Sequence, residues 1–235
     1  MTVEVQLPPV GTEALDARDL EVGLAELTLR EIAVTNALLG GQAALEHGLR
    51  AITKNIDATR PLTLLDIGVG DGQAADRARH VIGAERTTVI GLDHHRAAGK
   101  LCQRRSVLPV LGDMWDVPFA RGRIDIVIMS LVLHHVPRGE AARLIASLDA
   151  VATVGVVIAD LRRSAVATAG FALASRALRF HEVTRHDGLV SIRRGFTEHE
   201  LGALIRDAGV ANATVSRRLG WRLVAYWEKV NAHAR

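Results

Sequence analysis

Five short apolar runs organise the chain after Pro61, and stretches of helical or turn character separate them. The runs are TLLDIGV (63–69), TTVIGLD (87–93), VLPVLGD (107–113), IDIVIMSL (124–131) and VGVVIADL (154–161). Because these runs are apolar almost throughout, we expect strands that are buried on both faces, as in a parallel sheet covered by helices. The alternation of strands and helices predicts an α/β fold with a Rossmann-like, doubly wound sheet.

The last part of the chain predicts a different strand arrangement. The segment FTEHELGALIRDAGV reads as a helix with a capping box of Thr197 and Glu200, and Gly209 ends it. Two further strands, ATVSRRL and WRLVAYWEKV, are separated only by Gly220, which is too short a connection for parallel neighbours. We therefore predict seven strands, with a C-terminal antiparallel hairpin.

The chain before Pro61 has a helical pattern and no strand pattern. Residues 1–12 read as a loose tail, residues 14–39 have apolar positions at helical spacing, and a second helix is expected from Gln42 to Thr53 after Gly40-Gly41. We interpret residues 1–55 as an N-terminal helical lid and residues 56–235 as the main domain. Within the main domain, residues 162–196 form an expected insertion that caps the substrate.

Composition and charge exclude several classes of function. The chain has 235 residues and is 49% hydrophobic, so it can bury a large core. Its net charge of +3 comes from scattered arginines and aromatic residues make up only 3%, so we expect no nucleic-acid partner. Cys102 is the only cysteine, which excludes an intrachain disulfide. Because neither a signal peptide nor a membrane-spanning run is visible, a cytoplasmic location without membrane attachment is expected.

The first predicted strand runs into a glycine-rich turn that is typical of a nucleotide-like ligand. Glycines occur at positions 68, 70 and 72, whereas the dinucleotide fingerprint G-x-G-x-x-G would need a glycine where Gln73 stands. Asp66 precedes these glycines and would repel a phosphate, but it suits the amine of a methionine-containing nucleoside. A turn without any ligand remains the alternative at this point.

The next two strands also end in acidic residues. Asp93 ends the second strand, where a carboxylate can accept hydrogen bonds from both ribose hydroxyls. Asp113 ends the third strand, where a carboxylate could accept from the exocyclic amine of adenine, and Met114 and Trp115 could flank the base. Each aspartate alone could be a helix cap, but three acidic strand ends in consecutive units favour one ligand site.

These motifs together resemble the class I S-adenosylmethionine-dependent methyltransferases over roughly residues 61–230. LLDIGVGDG is similar to their first motif, IGLD to their second, LGD to their adenine motif, and DIVIMSLVLHHV to the fourth-strand motif of the ubiquinone-biosynthesis-like, small-molecule branch. GLVSIRRGFTEHELGALIRDAG and TNALLGG further resemble methyltransferases of bacterial secondary metabolism. The resemblance implies S-adenosylmethionine as cofactor and S-adenosylhomocysteine as product.

The resemblance also implies residue roles. The cofactor-binding residues would be Asp66, Gly68, Gly70, Gly72, Asp93, His94, Asp113, Met114 and Ser130. Asp71 departs from the family pattern, which has a small polar residue after the second glycine, so the detail of the loop differs. Of the predicted histidines, His135 and His134 follow the fourth strand, where one could act as general base or could hold the loop. In the insertion, the predicted substrate contacts are His181, Arg185 and His186, with solvent exposure as their alternative.

The predicted reaction is O-methylation of a phenolic, polyketide-derived or quinone-type small molecule by in-line displacement. A phenol loses its proton near pH 10, so a histidine base would assist at neutral pH. No metal site is predicted, because the fourth strand ends in IMSLVLHH without acidic ligands. The alternatives are a nicotinamide-dependent oxidoreductase, a non-catalytic interaction module and a nucleic-acid methyltransferase. The protein is expected to be a monomer or a homodimer.

Overall fold

A computed structural model describes residues 11–17 and 20–229 of the chain. Seven strands form one sheet in the order β3-β2-β1-β4-β5-β7-β6. The strands are β1 (Leu62–Ile67), β2 (Thr87–Asp93), β3 (Leu108–Leu111), β4 (Ile124–Ser130), β5 (Ala152–Leu161), β6 (Thr214–Arg218) and β7 (Arg222–Glu228). Strands β1 to β5 are parallel, and β7 is antiparallel to both β5 and β6. The predicted fold, including the terminal hairpin, is confirmed.

Eight α-helices accompany the sheet within the described residues. They are α1 (Val22–Leu38), α2 (Gly41–Thr53), α3 (Gln73–Ile82), α4 (Arg96–Gln103), α5 (Arg138–Val151), α6 (Ala165–Ala177), α7 (Glu182–Arg194) and α8 (Glu198–Asp207). The predicted capping box forms at α8, where the Thr197 hydroxyl accepts from Glu200 N–H and the Glu200 carboxylate accepts from Thr197 N–H. None of these helices is both long and apolar enough to cross a membrane.

Helices cover both faces of the sheet and produce two hydrophobic cores. One core lies between the sheet and helices α5 and α8. The other lies between the sheet and helices α2, α3 and α4. Central strand β1 is buried at five of its six positions, whereas the edge strand β3 is largely exposed. Continuous apolar strands are therefore central here, as burial on two faces requires.

The predicted N-terminal lid separates into two parts with different positions. Helix α2 packs on the sheet through a stripe that includes Leu45, Leu49 and Ile52, each no more than 1% exposed, so it belongs to the sheet's helix layer. Helix α1 instead packs against α4 and α7 and reaches the loop after β1, where Leu29 lies beside Gly70. Before it, the predicted continuous helix from residue 14 is replaced by a 3-10 turn at Ala14–Asp16. The predicted tail lies mostly outside the described residues.

The turn between α1 and α2 lies against the β6–β7 turn, backbone against backbone. Gly40 has φ +74°, and a Cβ on it would lie 2.8 Å from the carbonyl oxygen of Leu219. Gly220 has φ +73°, and a Cβ there would overlap with the carbonyl of Leu39. Glycine is needed on both sides because any side chain would separate the two turns. This contact fixes the end of α1 beside the start of β7.

The predicted insertion at residues 162–196 is a pair of helices, α6 and α7. It leaves the sheet after β5, and its apolar residues Phe171 and Ile192 pack with Leu161 into a small third cluster at the carboxyl edge. Helices α1, α6 and α7 thus stand at the edge where an open α/β sheet binds ligands.

Candidate active site

One cavity of about 460 Å³ opens at the carboxyl ends of the parallel strands. Its floor comes from the loops after β1, β2, β3 and β4, and its walls come from α1, α6, α7 and the 3-10 turn at Ala14–Asp16. Most of the lining is apolar, which suits a ligand with flat or hydrocarbon surfaces. The cavity therefore joins the predicted cofactor loop to the segments that were expected to cover it.

The glycine loop has the backbone conformation that the sequence motif requires. Gly68, Gly70 and Gly72 have φ values of +68°, +54° and +79°, which side chains rarely adopt. Gly68 and Gly70 line the cavity, whereas Gly72 caps the start of α3 and lies behind it. A Cβ on Gly68 would overlap with Val132, and one on Gly70 would meet only Leu29, at 3.4 Å. Gly70 therefore leaves cavity space that a side chain would fill.

Asp71, the departure from the family pattern, holds the loop through a defined set of bonds. Its carboxylate accepts from the Gln73 backbone N–H at 3.0 Å and from Arg105 Nη2 at 3.2 Å. Arg105 Nε also donates to the Asp71 carbonyl oxygen at 3.0 Å. The charge of Asp71 is thereby paired at the start of α3, and the loop keeps its turn despite the larger residue.

Asp93 lines the cavity and also orders the glycine loop. One carboxylate oxygen accepts from Gly70 N–H at 3.0 Å, and the other accepts from His95 N–H at 2.8 Å. Each carboxylate oxygen has a second lone-pair direction, so Asp93 can still accept from a ligand hydroxyl. This position at the end of β2 agrees with the predicted contact to ribose, which remains a prediction.

Asp66 is not part of the cavity lining and is only 1% exposed. Burial, followed by the negative charges of Asp93 and Asp71, raises the pKa of Asp66 well above its usual range. The Ala75 N–H lowers this pKa in part, although neither carboxylate oxygen has a partner with full hydrogen-bond geometry. The structure therefore places Asp66 beneath the loop, so any direct contact with a ligand would need a change of its surroundings.

The remaining predicted cofactor residues line the same cavity. Asp113 accepts from Trp115 N–H at 3.1 Å, which turns the chain after β3. Four predicted residues therefore lie on the cavity wall beside the loop, namely His94, Asp113, Met114 and Ser130. Ser130 ends β4 and is followed by Leu131 in a left-handed conformation, with φ +58°. Of the nine predicted cofactor residues, Asp66 and Gly72 are the two that do not line the cavity.

His134 lies in a buried carboxylate pair after β4. Its Nδ1 is 2.6 Å from Asp160 Oδ1, and its backbone N–H donates to Asp160 Oδ2 at 3.1 Å. Burial alone would raise the pKa of Asp160, but the charge and hydrogen bond of His134 and the N–H of Leu161 hold that pKa below its usual range. Asp160 is therefore ionised and accepts from His134 Nδ1, so Nε2 is the ring nitrogen of His134 that faces Glu13.

His135 forms a second, more exposed pair. Its Nδ1 is 2.7 Å from Asp16 Oδ1, and its ring lies 4.3 Å from the ring of His134. Glu13 lies opposite both histidines, with 3.9 Å from Oε1 to His134 Nε2 and 3.6 Å from Oε2 to His135 Nε2. We call Glu13, Asp16, His134, His135 and Asp160 the histidine cluster.

Glu13 is the least expected member of this cluster. It is 3% exposed, and burial raises its pKa to about 7 although His135 and the Ser191 hydroxyl oppose the shift. Ser191 Oγ donates to it at 2.9 Å and Arg194 Nη1 at 3.2 Å. Ligand atoms of Glu13, His134 and His135 lie within 4.8 Å of one another, so these three could hold a metal ion. The same set can also share protons, and no metal is needed to explain its hydrogen bonds.

The predicted substrate residues of the insertion do not line the cavity. The Nδ1 atom of His181 accepts from Val183 N–H at the start of α7, and Nδ1 of His186 pairs with Asp187, 3.1 Å away. Arg185 is likewise absent from the lining. The face of α7 that does reach the cavity carries Thr184, Gly188, Ser191 and Ile192. The predicted contacts His181, Arg185 and His186 therefore lie off the cavity, and the role of residues 162–196 as a substrate cap stays a prediction.

Several residues of the site carry no local sequence signal. Glu13 precedes the first helix, and Asn36 and Arg222 come from α1 and β7, so only the folded chain brings them together. Asp160 is the exception, because it lies near the carboxyl end of the fifth apolar run, as Asp66 and Asp93 do in theirs. The strand-end rule that identified those aspartates would have identified Asp160 too.

Comparisons with known proteins agree with this arrangement. Residues 64–155 match the family model described as a methyltransferase domain. No curated protein sequence matches the chain significantly. Among solved structures, an S-adenosylmethionine-dependent methyltransferase from Aquifex aeolicus aligns at 18% identity and TM-score 0.53, covering 77% of this chain and 89% of its own.

Two further structures cover more of the chain. A candidate O-methyltransferase from Nostoc punctiforme aligns at 13% identity and TM-score 0.66, over 95% of this chain and 64% of its own. The plantazolicin methyltransferase BpumL, solved with S-adenosylhomocysteine and a substrate analogue, aligns at 11% identity and TM-score 0.62. The alignment covers 88% of this chain and 97% of the BpumL chain. At these identities the likeness shows a shared fold, and the family match covers strands β1 to β4, after which come the loops that form the floor of the cavity.

Proposed function

We infer that this S-adenosylmethionine-dependent methyltransferase transfers a methyl group to an oxygen of a small phenolic, polyketide-derived or quinone-type acceptor. The observation that carries this proposal is the continuity of one cavity from the glycine loop to the histidine cluster. A cofactor on the loop and an acceptor at the cluster would share that space. The neighbouring structures include O-methyltransferase, carbon methyltransferase and plantazolicin methyltransferase names, so oxygen is argued from the site itself.

The residues of the loop fit a nucleoside without phosphates. Asp93 and Asp113 place carboxylates at the strand ends, where hydroxyl and amine donors are accommodated and phosphates are repelled. The space that a Cβ on Gly70 would take supports the close approach of a ligand. S-adenosylmethionine supplies the electrophilic methyl group when it is bound. We propose Gly68, Gly70, Asp93, His94, Asp113, Met114 and Ser130 as its direct contacts, with Asp66 and Gly72 supporting the loop.

The histidine cluster supplies a base, which a phenolic oxygen acceptor needs. A carbon acceptor without an acidic proton does not need one. A phenol must lose its proton as the new bond forms, and an imidazole nitrogen within reach can accept it. Asp160 fixes the tautomer of His134, and Asp16 is paired with His135, so each imidazole has an Nε2 atom near Glu13. The Glu13 carboxylate would then stabilise an imidazolium formed on either ring.

Water exclusion is the second contribution that we propose for the surrounding helices. Helices α1 and α7 supply Leu29, Ile32 and Ile192 to the lining, so the reacting centre would be shielded from solvent. We further propose a cytoplasmic enzyme of bacterial secondary metabolism, acting as a monomer or a homodimer without a nucleic-acid or membrane partner.

Calorimetry and a methyl-transfer assay test this function. We expect S-adenosylmethionine and S-adenosylhomocysteine to bind and NADH not to bind. With a radiolabelled methyl donor, a panel of phenols and quinols should be methylated in preference to matched anilines. His134→Asn and His135→Asn should each lower turnover, by about 10²-fold or more for the residue that accepts the proton, with little change in S-adenosylhomocysteine affinity.

The matched control is His199→Ala, because His199 is exposed on α8, away from the cavity. Binding of NADH in place of S-adenosylhomocysteine would contradict the proposal and favour an oxidoreductase. Full turnover in both His134→Asn and His135→Asn would remove the histidine cluster from the reaction, and a preference for the anilines would contradict oxygen as the acceptor atom.

A further inference from the structure

Arg222 is a buried guanidinium that lines the cavity and has no partner in the described part of the chain. It begins β7 and pairs with Leu161 at the end of β5, so its backbone lies at the carboxyl edge of the sheet. The residue is only 4% exposed, yet no hydrogen bond or ion pair to a described residue satisfies its side chain, and Nε is completely buried. A guanidinium carries five N–H donors, so this burial leaves donors that need acceptors.

The charge of Arg222 is retained despite this burial. Desolvation lowers the pKa of Arg222 to about 10, while the negative charge of Asp160 acts in the opposite direction. The side chain is therefore still protonated at neutral pH. Asp160 lies beyond 4.0 Å from it, and the Asp160 oxygens accept instead from His134 and from the Leu161 N–H. A buried cation without a close anion is costly unless a ligand supplies one.

Two other unsatisfied polar atoms line the same cavity. They are Asn36 Oδ1 on α1 and Thr184 Oγ1 on α7, in residues that are 7% and 2% exposed. The Thr184 hydroxyl can donate to a ligand oxygen, whereas Asn36 Oδ1 can only accept, for example from a ligand hydroxyl. Three buried polar side chains from separate elements thus remain available in one cavity.

The chain also keeps space around two of these groups. A Cβ on Gly41 would overlap with Asn36 Oδ1 and would lie 3.2 Å from Arg222 Nε. Gly41 lies in the first turn of α2 without a positive φ, so its conformation does not require glycine. The absence of a side chain at Gly41 therefore leaves space that the Asn36 and Arg222 side chains occupy.

We propose that the Arg222 guanidinium and the Thr184 hydroxyl bind an ionised oxygen of the methyl acceptor, and that Asn36 Oδ1 accepts from a hydroxyl of the same ligand. The ligand chemistry is an anionic oxygen on an aromatic or quinonoid skeleton, either a carboxylate or the enolate oxygen of a hydroxyquinone. This subsite rests on the proposed function, because it assumes that the acceptor occupies this cavity. It narrows the acceptor class from phenols in general to phenols that carry an acidic oxygen.

The test compares ionised probes with neutral analogues of the same shape. Protein saturated with S-adenosylhomocysteine is titrated with 2-hydroxybenzoate and 2-hydroxybenzamide, and separately with 2-hydroxy-1,4-naphthoquinone and its 2-methoxy ether. The wild-type protein should bind the ionised member of at least one pair about tenfold more tightly, as charge-assisted hydrogen bonds predict. The pair that shows the preference distinguishes the carboxylate from the enolate.

Arg222→Met should abolish the preference and leave S-adenosylhomocysteine affinity within about twofold. Gly41→Ala, which improves helix propensity, should reduce the preference because the new methyl group crowds both Asn36 Oδ1 and Arg222 Nε. Arg218→Met and Gly139→Ala are the controls, because Arg218 is exposed on β6 and a Cβ on Gly139 would meet nothing within 4 Å.

Equal binding of both members in both pairs, or binding of neither ionised probe, would overturn the proposal. An unchanged preference in Arg222→Met would overturn it as well. These outcomes differ from failure of the proposed function, which would appear as loss of S-adenosylhomocysteine binding or of methyl transfer in the wild-type protein.

Discussion

At the scale of single residues, Asp93 combines two tasks that a substitution would remove together. Its carboxylate holds the N–H groups of Gly70 and His95, and we propose that it also accepts from the ribose. Asp93→Ala should weaken S-adenosylhomocysteine binding by about 10- to 150-fold, the worth of charge-assisted hydrogen bonds. Calorimetry measures the change. Asp207→Ala, an exposed aspartate at the end of α8, is the control, and a loss below about twofold in a folded Asp93→Ala protein would refute the assignment.

Substitution of Gly70 tests whether the glycine loop binds a ligand or is only a turn. Its φ of +54° strains any β-branched residue, and a side chain would enter the cavity beside Leu29. Gly70→Val should retain the circular-dichroism spectrum of the wild type, lose about 1–2 kcal/mol of stability from backbone strain, and lose cofactor binding. Tight binding of S-adenosylhomocysteine by this variant would show that the loop does not approach the ligand.

Some residues of the candidate site could be predicted from the sequence and others could not, because only the first group lies in a recognisable local pattern. Asp93 and Asp113 end apolar runs, so a local pattern and the rule for parallel sheets were sufficient to place them. Glu13 and Arg222 owe their positions to contacts across most of the chain, and nothing in their neighbours along the sequence marks them. Burial without a partner is a property of the folded chain, so the polar subsite around Arg222 became visible only in three dimensions.

At the scale of elements, α1 and α7 are the segments that ligands should order. Both supply cavity-lining side chains, whereas the hairpin of β6 and β7 supplies only Arg222 at its inner end. In hydrogen-exchange measurements, S-adenosylhomocysteine with an acceptor analogue should protect residues 22–38 and 182–194 more than residues 214–221. Equal protection of all three segments would indicate general stabilisation and would argue against a lid.

The segment before α1 should affect turnover more than cofactor affinity. Its backbone N–H groups at Ala14 and Leu15 donate to Asp187 on α7, and its Glu13 side chain faces the two histidines. A chain that lacks residues 1–17 should keep S-adenosylhomocysteine affinity within about threefold and lose most of its turnover. Full activity in this shortened chain would exclude Glu13 from the reaction.

The element pattern explains why the N-terminal lid was predicted as one unit. Helical spacing is the same for a helix that covers a cavity and for one that packs on a sheet, so α1 and α2 could not be distinguished by periodicity. Their partners decide between the two positions, since Leu45, Leu49 and Ile52 fit the sheet while α1 leaves Leu38 and Val34 exposed. For this reason a deletion through residue 53 would remove part of the core as well as the lid.

At the scale of the whole molecule, cofactor binding should be visible as global stability. A ligand that binds only the folded state at a hundredfold excess over its Kd adds about 2.7 kcal/mol, which for a chain of this length raises Tm by roughly 5–10 °C. S-adenosylhomocysteine should produce this shift in the wild type, and Gly70→Val should show none. A shift of equal size with NADH would contradict the cofactor assignment.

The position of Arg222 next to the contact between the Gly40 and Gly220 turns has a consequence for protein synthesis. The residues proposed to bind the cofactor have all been made by residue 130, but the proposed acceptor subsite needs β7, which inserts between β5 and β6. A nascent chain could therefore assemble its cofactor loop well before it has a place for the acceptor. On the proposed function, methyl transfer therefore requires the last strand to be made, and chains that stop before residue 222 should bind S-adenosylhomocysteine without methylating an acceptor.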